Sequence, residues 1–185
     1  MKVSRLFLTG FMTSGKSTIG PILANVLGWD FFDLDKVIEK SECKSIVEIF
    51  ENRGEDYFRT LETDTLMRLS KLEKVVISLG GGTIANEENF NIIKKSGKIV
   101  YLKVSPEILY KRLKYKIDRP LFRDLVLSDN SEEEFVSKIK EILTKRETFY
   151  NKADLVINTD ISPVGITVDK LVKKISMMVY EKSCS

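Results

Sequence analysis

The chain has 185 residues, enough for one domain with a substantial core and too few for two ordinary ones. Its 30 basic and 27 acidic residues leave a net charge of +3, with the signs interleaved, which argues against a nucleic-acid partner needing a massed basic face. Histidine is absent and Cys43 and Cys184 stand far apart, which excludes a zinc site and a Ser/His triad and makes the cytoplasm the expected compartment.

The first apolar run, VSRLFLT from Val3 to Thr9, predicts a strand. It is too short for a secretory core or a membrane span, and no later run is long enough to cross a bilayer, so no membrane association is expected. The run leads into Gly10-Phe-Met-Thr13-Ser14-Gly15-Lys16-Ser17-Thr18, which satisfies G-x-x-x-x-G-K-[ST] ahead of a helical pattern. Glycines at Gly10 and Gly15 let successive backbone N–H groups and the positive end of the next helix point at phosphate oxygens. Lys16 adds a point charge for the β and γ phosphates, and the Ser17 hydroxyl is a candidate Mg²⁺ ligand. The loop is therefore expected to bind a nucleotide. Pro21 falls inside the helix that follows, where it cannot donate to the carbonyl of Ser17, and a local kink or loosened turn is expected.

DFFDL, from Asp30, predicts the second strand, with Asp33 and Asp35 two apart at its carboxyl end, pointing to the same side and facing the crevice where open α/β sheets bind ligands. Two carboxylates beside a triphosphate suit contact with a hydrated metal and acceptance of a hydroxyl proton; equally, they suit a solvated strand end with Asp35 as a helix N-cap. Ser45 with Glu48 marks a helix start. In the next helical stretch, EDYFRTLE, Arg59 lies within reach of Glu55 and Glu62, so it reads either as a surface ion pair or as a planar fork for a carboxylate or phosphate. KVVISLG predicts the third strand and runs into Gly80, Gly81 and Gly82; a turn needs one or two glycines, and three let a ligand approach bare backbone. KIVYLKV and ADLVINT predict two more strands, with helix starts at Ser131 (with Glu134) and at Ser162 (before Pro163). The stretch from Tyr115 to Ser131 has no clean period and is a candidate flap. Alternation of strands and helices predicts a central five-stranded parallel sheet covered by helices on both faces, a three-layer α/β sandwich.

Together, GFMTSGKSTIG, FFDLDKVIE, GEDYFRTLE, SLGGGT, DRPLF, RETFY and INTDISP resemble the shikimate kinase family, in the nucleoside-monophosphate-kinase-like group of P-loop folds. The resemblance spans nearly the whole chain. It implies phosphorylation of the 3-hydroxyl of shikimate by MgATP, on the route to chorismate and aromatic amino acids. It implies that Gly10, Thr13, Ser14, Gly15, Lys16, Ser17 and Thr18 bind the nucleotide, that Ser17 and Asp33 meet Mg²⁺, the latter through its water shell, and that Asp35 binds the shikimate hydroxyls and takes the proton. Arg59 and Arg146 match arginines that grip the substrate carboxylate, with Gly80, Gly81 and Gly82 beside the ring. Arg119 matches a lid arginine that reaches the transferring phosphoryl, and Arg112 the position that packs on adenine. The expected substrate-binding segment is about 33–62 and the lid about 113–128, within one domain and a monomer.

The chain departs from the family pattern at Thr13, where glycine is common, at Pro21, and in a short spacing from Tyr150 to Ala153. Rival readings are another small-molecule kinase, such as a gluconate kinase, and a non-catalytic nucleotide-binding module. The acid pair, Arg59 and the glycine triplet weigh against the first, and the acid pair and the lid stretch DRPLF against the second.

Overall fold

The five apolar runs become β1 (Arg5–Thr9), β2 (Asp30–Asp33), β3 (Val75–Ser78), β4 (Lys98–Lys103) and β5 (Leu155–Asn158). All pairings are parallel, in the order β2-β3-β1-β4-β5. The computed structural model describes residues 3–115 and 131–180; Arg119, Cys184 and most of the expected lid lie outside that set. The described helices are α1 (Lys16–Leu27), α2 (Leu34–Glu42), α3 (Ile46–Leu69), α4 (Glu87–Ser96), α5 (Pro106–Leu113), α6 (Glu132–Tyr150) and α7 (Val164–Tyr180).

Near-continuous apolar strands are what a sheet buried on both faces requires. Their side chains sort by the two-residue strand period. Phe7, Val75, Ile77, Ile99 and Tyr101 share one core with α2, α3 and α4 residues such as Ile38, Leu66 and Ile93. Leu6, Leu8, Val76, Val100 and Leu102 join Leu23 of α1 and Leu171 of α7 in the other. Each such side chain, fully buried, contributes about 1.5–3 kcal/mol of transfer free energy. Close packing of α1 on β2 needs Gly20, because a Cβ there would run into the Phe31 ring.

Helix starts follow local chemistry. Ser45 and Glu48 form a capping box at α3, and Ser131 and Glu134 another at α6, as the sequence suggests. The last helix differs: it begins at Val164, and the Pro163 carbonyl accepts the bond from the Thr167 N–H, so the start falls a residue beyond the expected one. At Pro21 the outcome is milder than expected, since α1 runs as one helix through it. The missing N–H removes one ladder bond near the helix start, where packing on β1 and β2 holds the segment. Conversely, α3 changes direction at Gly54, whose φ of 81° and ψ of 174° are not helical. Gly54 thus separates a first segment from the second, which carries Arg59 and Glu62; both are tied to α2, by the Ile46 N–H donating to Glu39 and by the Tyr57 hydroxyl donating to Glu42.

Candidate active site

The register aligns the carboxyl ends of the three strands that feed the site: Leu8 pairs with Ser78, and Ser78 with Asp33. The glycine loop, the start of α2 and the glycine triplet therefore emerge side by side, in the crevice where open α/β sheets bind ligands.

In the glycine loop the backbone does most of the shaping. Gly10 has φ +147°, and a Cβ there would stand 2.7 Å from both the Leu102 carbonyl oxygen and Ser14 Oγ. Gly15, at φ +105°, precedes α1, whose start no side chain caps; the leading N–H groups and dipole of a helix favour an anion there. Lys16 is buried, and its Nζ donates to the carbonyls of Gly10 at 2.8 Å and Phe11 at 3.0 Å. Ser17 and Thr18 are exposed. Thr13 adopts the left-handed region at φ 60°, the conformation that makes glycine common at this place. Its hydroxyl and that of Ser14 are buried without a hydrogen-bond partner among the described residues, an arrangement that fits donors waiting for phosphate oxygens.

Arg112, on α5, ties this loop to the segment after β5. One terminal nitrogen donates to the Thr13 carbonyl at 3.1 Å, the other to the carbonyls of Thr159 at 2.8 Å and Asp160 at 3.2 Å. Thr159 Oγ1 donates to the Ser14 carbonyl at 3.0 Å. Sequence reasoning assigns no role to Thr159 and Asp160; the available signal is their place just past the carboxyl end of a strand.

The acid pair is arranged differently from the expected strand end. β2 stops at Asp33, which is itself the N-cap of α2 and accepts from the Lys36 N–H, while Asp35 lies in the first helical turn. A strand period therefore does not relate the two carboxylates, and the capping residue is Asp33 rather than Asp35. Burial, and next the charge of Asp33 and then of Glu62, push the Asp35 carboxyl up to about 6 against the pull of Lys16.

Each residue of the glycine triplet borders a charged neighbour, most tightly at Gly80 and Gly81. A Cβ at Gly80 would lie 2.9 Å from Asp35 Oδ1 and from Thr83 Oγ1; at Gly81, 3.1 Å from Arg146 Nη1; and at Gly82, 3.4 Å from Arg59 Nη1. Asp35, Arg59 and Arg146 are thereby brought together from α2, α3 and α6. Arg59 pairs with Glu55 and Glu62, both at 2.9 Å. Burial works against its charge, but Glu62 and Glu55 outweigh it and hold the guanidinium pKa above its usual value. Nη1 of Arg146 is buried with no hydrogen-bond partner among the described residues, and the guanidinium lies 5.8 Å from the centre of the Phe11 ring. The short spacing after Tyr150 is absorbed by a turn in which the Ala153 N–H donates to the Tyr150 carbonyl, while the Tyr150 hydroxyl donates to the Gly81 carbonyl. Of the residues that support this group, Glu62 shows in the sequence only as a neighbour of Arg59 at helical spacing, and Thr83 has no signal.

A phosphate loop facing a carboxylate and two arginines across bare glycine backbone needs no covalent nucleophile, because phosphoryl transfer rests on positioning and charge neutralisation. Fold and site together define the class: P-loop kinases that act on small molecules. The family model for shikimate kinase matches residues 12–176. A shikimate kinase from Chlorobaculum parvum is 50% identical over 172 residues, covering 93% of this chain and 92% of that protein. Among solved structures, shikimate kinase from Bacteroides thetaiotaomicron matches with a TM-score of 0.82 at 34% identity, covering 94% of this chain and 99% of its own. Shikimate kinase from Acinetobacter baumannii, solved in complex with shikimate, matches with a TM-score of 0.84 at 31% identity, covering 95% and 94%. The chain belongs to the shikimate kinase family, kinases that transfer a phosphoryl group from ATP to shikimate.

Proposed function

We propose that the enzyme binds the shikimate carboxylate between Arg59 and Arg146 and the ring against Gly80, Gly81 and Gly82, with Asp35 accepting the proton of the attacking 3-hydroxyl. The observation that carries this reading is the convergence of one carboxylate and two guanidiniums on the triplet, one of them with a buried, unpartnered N–H. Forked guanidiniums match a carboxylate in geometry and charge. Asp35, with its pKa raised to about 6, is ionised at neutral pH yet more basic than an exposed aspartate, which suits a general base.

On the nucleotide side, the backbone from Gly10 to Thr18 receives the phosphates and Lys16 turns from the loop carbonyls to the β and γ oxygens. Arg112, whose edge is engaged by carbonyls, offers its face to adenine. Among the described residues no group of three His, Cys, Asp or Glu side chains is placed to hold a metal ion by itself, so the oxygens of Ser17 and Asp33 fit a Mg²⁺ held mainly by phosphates and water, as is usual for this ion. That ion would neutralise charge on the β and γ phosphates during transfer. Arg119 and the segment 113–128 complete the reading as a lid over the transferring group. No helix among the described residues is long and apolar enough to cross a membrane. A cytoplasmic location accords with the cysteine usage.

The test is ADP release with MgATP and shikimate, gluconate, AMP or dephospho-coenzyme A as acceptor. Turnover is expected with shikimate and little with the other three. Equal or greater turnover of gluconate or AMP would overturn the acceptor-site reading.

A further inference from the structure

Beside the triplet lies a hydrogen-bonded chain that ends on Arg59 and whose other members are not assigned to the substrate. Thr83 opens the short 3-10 turn Thr83–Ala85, and its side chain is fully buried. Its Oγ1 donates to Glu62 Oε1 at 2.6 Å, and the other oxygen of that carboxylate holds Arg59 Nη1 at 2.9 Å. The turn is anchored in its own right: Asn89 Nδ2 donates to the Thr83 carbonyl at 3.2 Å, Thr63 Oγ1 donates to Asn89 Oδ1 at 2.9 Å, and the Asn86 side chain caps α4 by accepting from the Asn89 N–H. Glu62 is 1% exposed, so its orientation is set by these partners and not by water.

We propose that Thr83 is a positioning residue of the acceptor site: by donating to one oxygen of Glu62 it holds that carboxylate where its other oxygen fixes the guanidinium of Arg59. A carboxylate with one oxygen unbonded can rotate about its terminal torsion, which is broad and two-fold, so a single hydroxyl decides which way it faces. Arg59 is half-exposed and also held by the exposed Glu55, a pair that contributes little; Glu62 is the partner able to define the geometry. The Thr83 hydroxyl and the Asp35 carboxylate both border Gly80, each 2.9 Å from where a Cβ would stand, so the turn reaches the part of the acceptor site that holds Asp35 as well. The inference rests on the reading of Arg59 as a carboxylate ligand.

Thr83→Val removes the donor at nearly constant volume, and Thr83→Ser keeps it. In steady-state assays with MgATP saturating, Thr83→Val is expected to raise the KM for shikimate about three- to tenfold, the scale of one disturbed charge-assisted contact. Its kcat and the KM for ATP should stay within about twofold of the parent, and Thr83→Ser should restore the KM. Thr83→Ala, which carries no methyl against Glu62, is read in the same way should the valine variant not fold. Arg59→Lys is run alongside. A raised KM in Arg59→Lys with a normal KM in Thr83→Val and Thr83→Ala overturns the role of Thr83 alone. A normal KM in Arg59→Lys overturns the reading of Arg59 and with it this inference. Loss of melting temperature with an unchanged KM marks Thr83 as structural only and also overturns the proposal.

Discussion

The two ends of the active site are built in opposite ways. The phosphate end is a single stretch of backbone from Gly10 to Thr18, shaped by two glycines of positive φ and by Thr13 in the left-handed region. The acceptor end has hardly any local structure of its own; Asp35, Arg59 and Arg146 arrive from three helices and are spaced by the glycines between them. Phosphate is the same in every nucleotide, so a fixed cradle of N–H groups serves it. An acceptor is told from its rivals by the placement of particular charges, and long side chains on rigid helices provide that.

The largest effect that would sharpen this contrast is expected at Asp35. Asp35→Asn keeps the shape and removes the proposed proton acceptor, so kcat should fall by about 10²–10⁴-fold with ADP affinity unchanged in calorimetry. In the parent enzyme kcat/KM for shikimate should rise with pH through about 6, as the carboxyl loses its proton, and this limb should vanish in the variant. Loss of nucleotide affinity along with rate would break the separation of the two ends.

The same substitution should stabilise the fold. The folded-state pKa of Asp35 stands above its ordinary value of 3.8, so folding favours the protonated form; that contribution is complete below about pH 4 and is lost as pH rises through about 6. A rise from 3.8 to about 6 corresponds to about 3 kcal/mol at alkaline pH. Urea unfolding should find Asp35→Asn more stable than the parent at pH 8 by up to about that amount, with the difference closing by pH 4. Equal stability at pH 8 would show that the carboxylate is well solvated, contrary to its place between Asp33 and Glu62.

Next in size is Arg59→Lys, because an ammonium cannot reproduce a forked grip. Shikimate affinity should weaken by about 1.5–3 kcal/mol, more than about tenfold, with ATP affinity spared. The smallest effect expected is that of Gly10→Ala, which probes the other end. Its Cβ would stand 2.7 Å from the backbone oxygen of Leu102 at a φ of +147°, so the strain cannot be relieved by a side-chain shift. A cost of about 1–3 kcal/mol should appear as weaker ADP binding in calorimetry, with Arg59 and Arg146 still able to bind shikimate. If shikimate affinity fell as far as ADP affinity, the two ends would be one mechanical unit.

The same contrast separates what is legible in the amino-acid sequence from what is not. The strands, the two capping boxes and the phosphate loop are contiguous patterns, and each is legible because its cause lies within a few residues. The departures from expectation are local as well: the strand period does not carry to Asp35, because β2 ends at Asp33, and α7 starts one residue late. Both depend on where hydrogen bonding passes from sheet or turn to helix. Without the family resemblance, Arg59 cannot be told from a surface ion pair in the sequence; Glu62 reads there only as one of its two neighbours at helical spacing, and nothing singles out Thr83.

The sequence by itself determined the layered α/β architecture, the nucleotide loop and the family, because apolar periodicity and a contiguous glycine motif act over short stretches of chain. Only the tertiary structure decided that Gly80, Gly81 and Gly82 each border a separate charged side chain, with Gly80 and Gly81 leaving the space a Cβ would fill. It alone placed Glu62 in the core, between a threonine and an arginine. Those contacts join residues brought together when the parallel strands align their carboxyl ends. Burial and charge then act across space, where separation along the chain carries no information about distance.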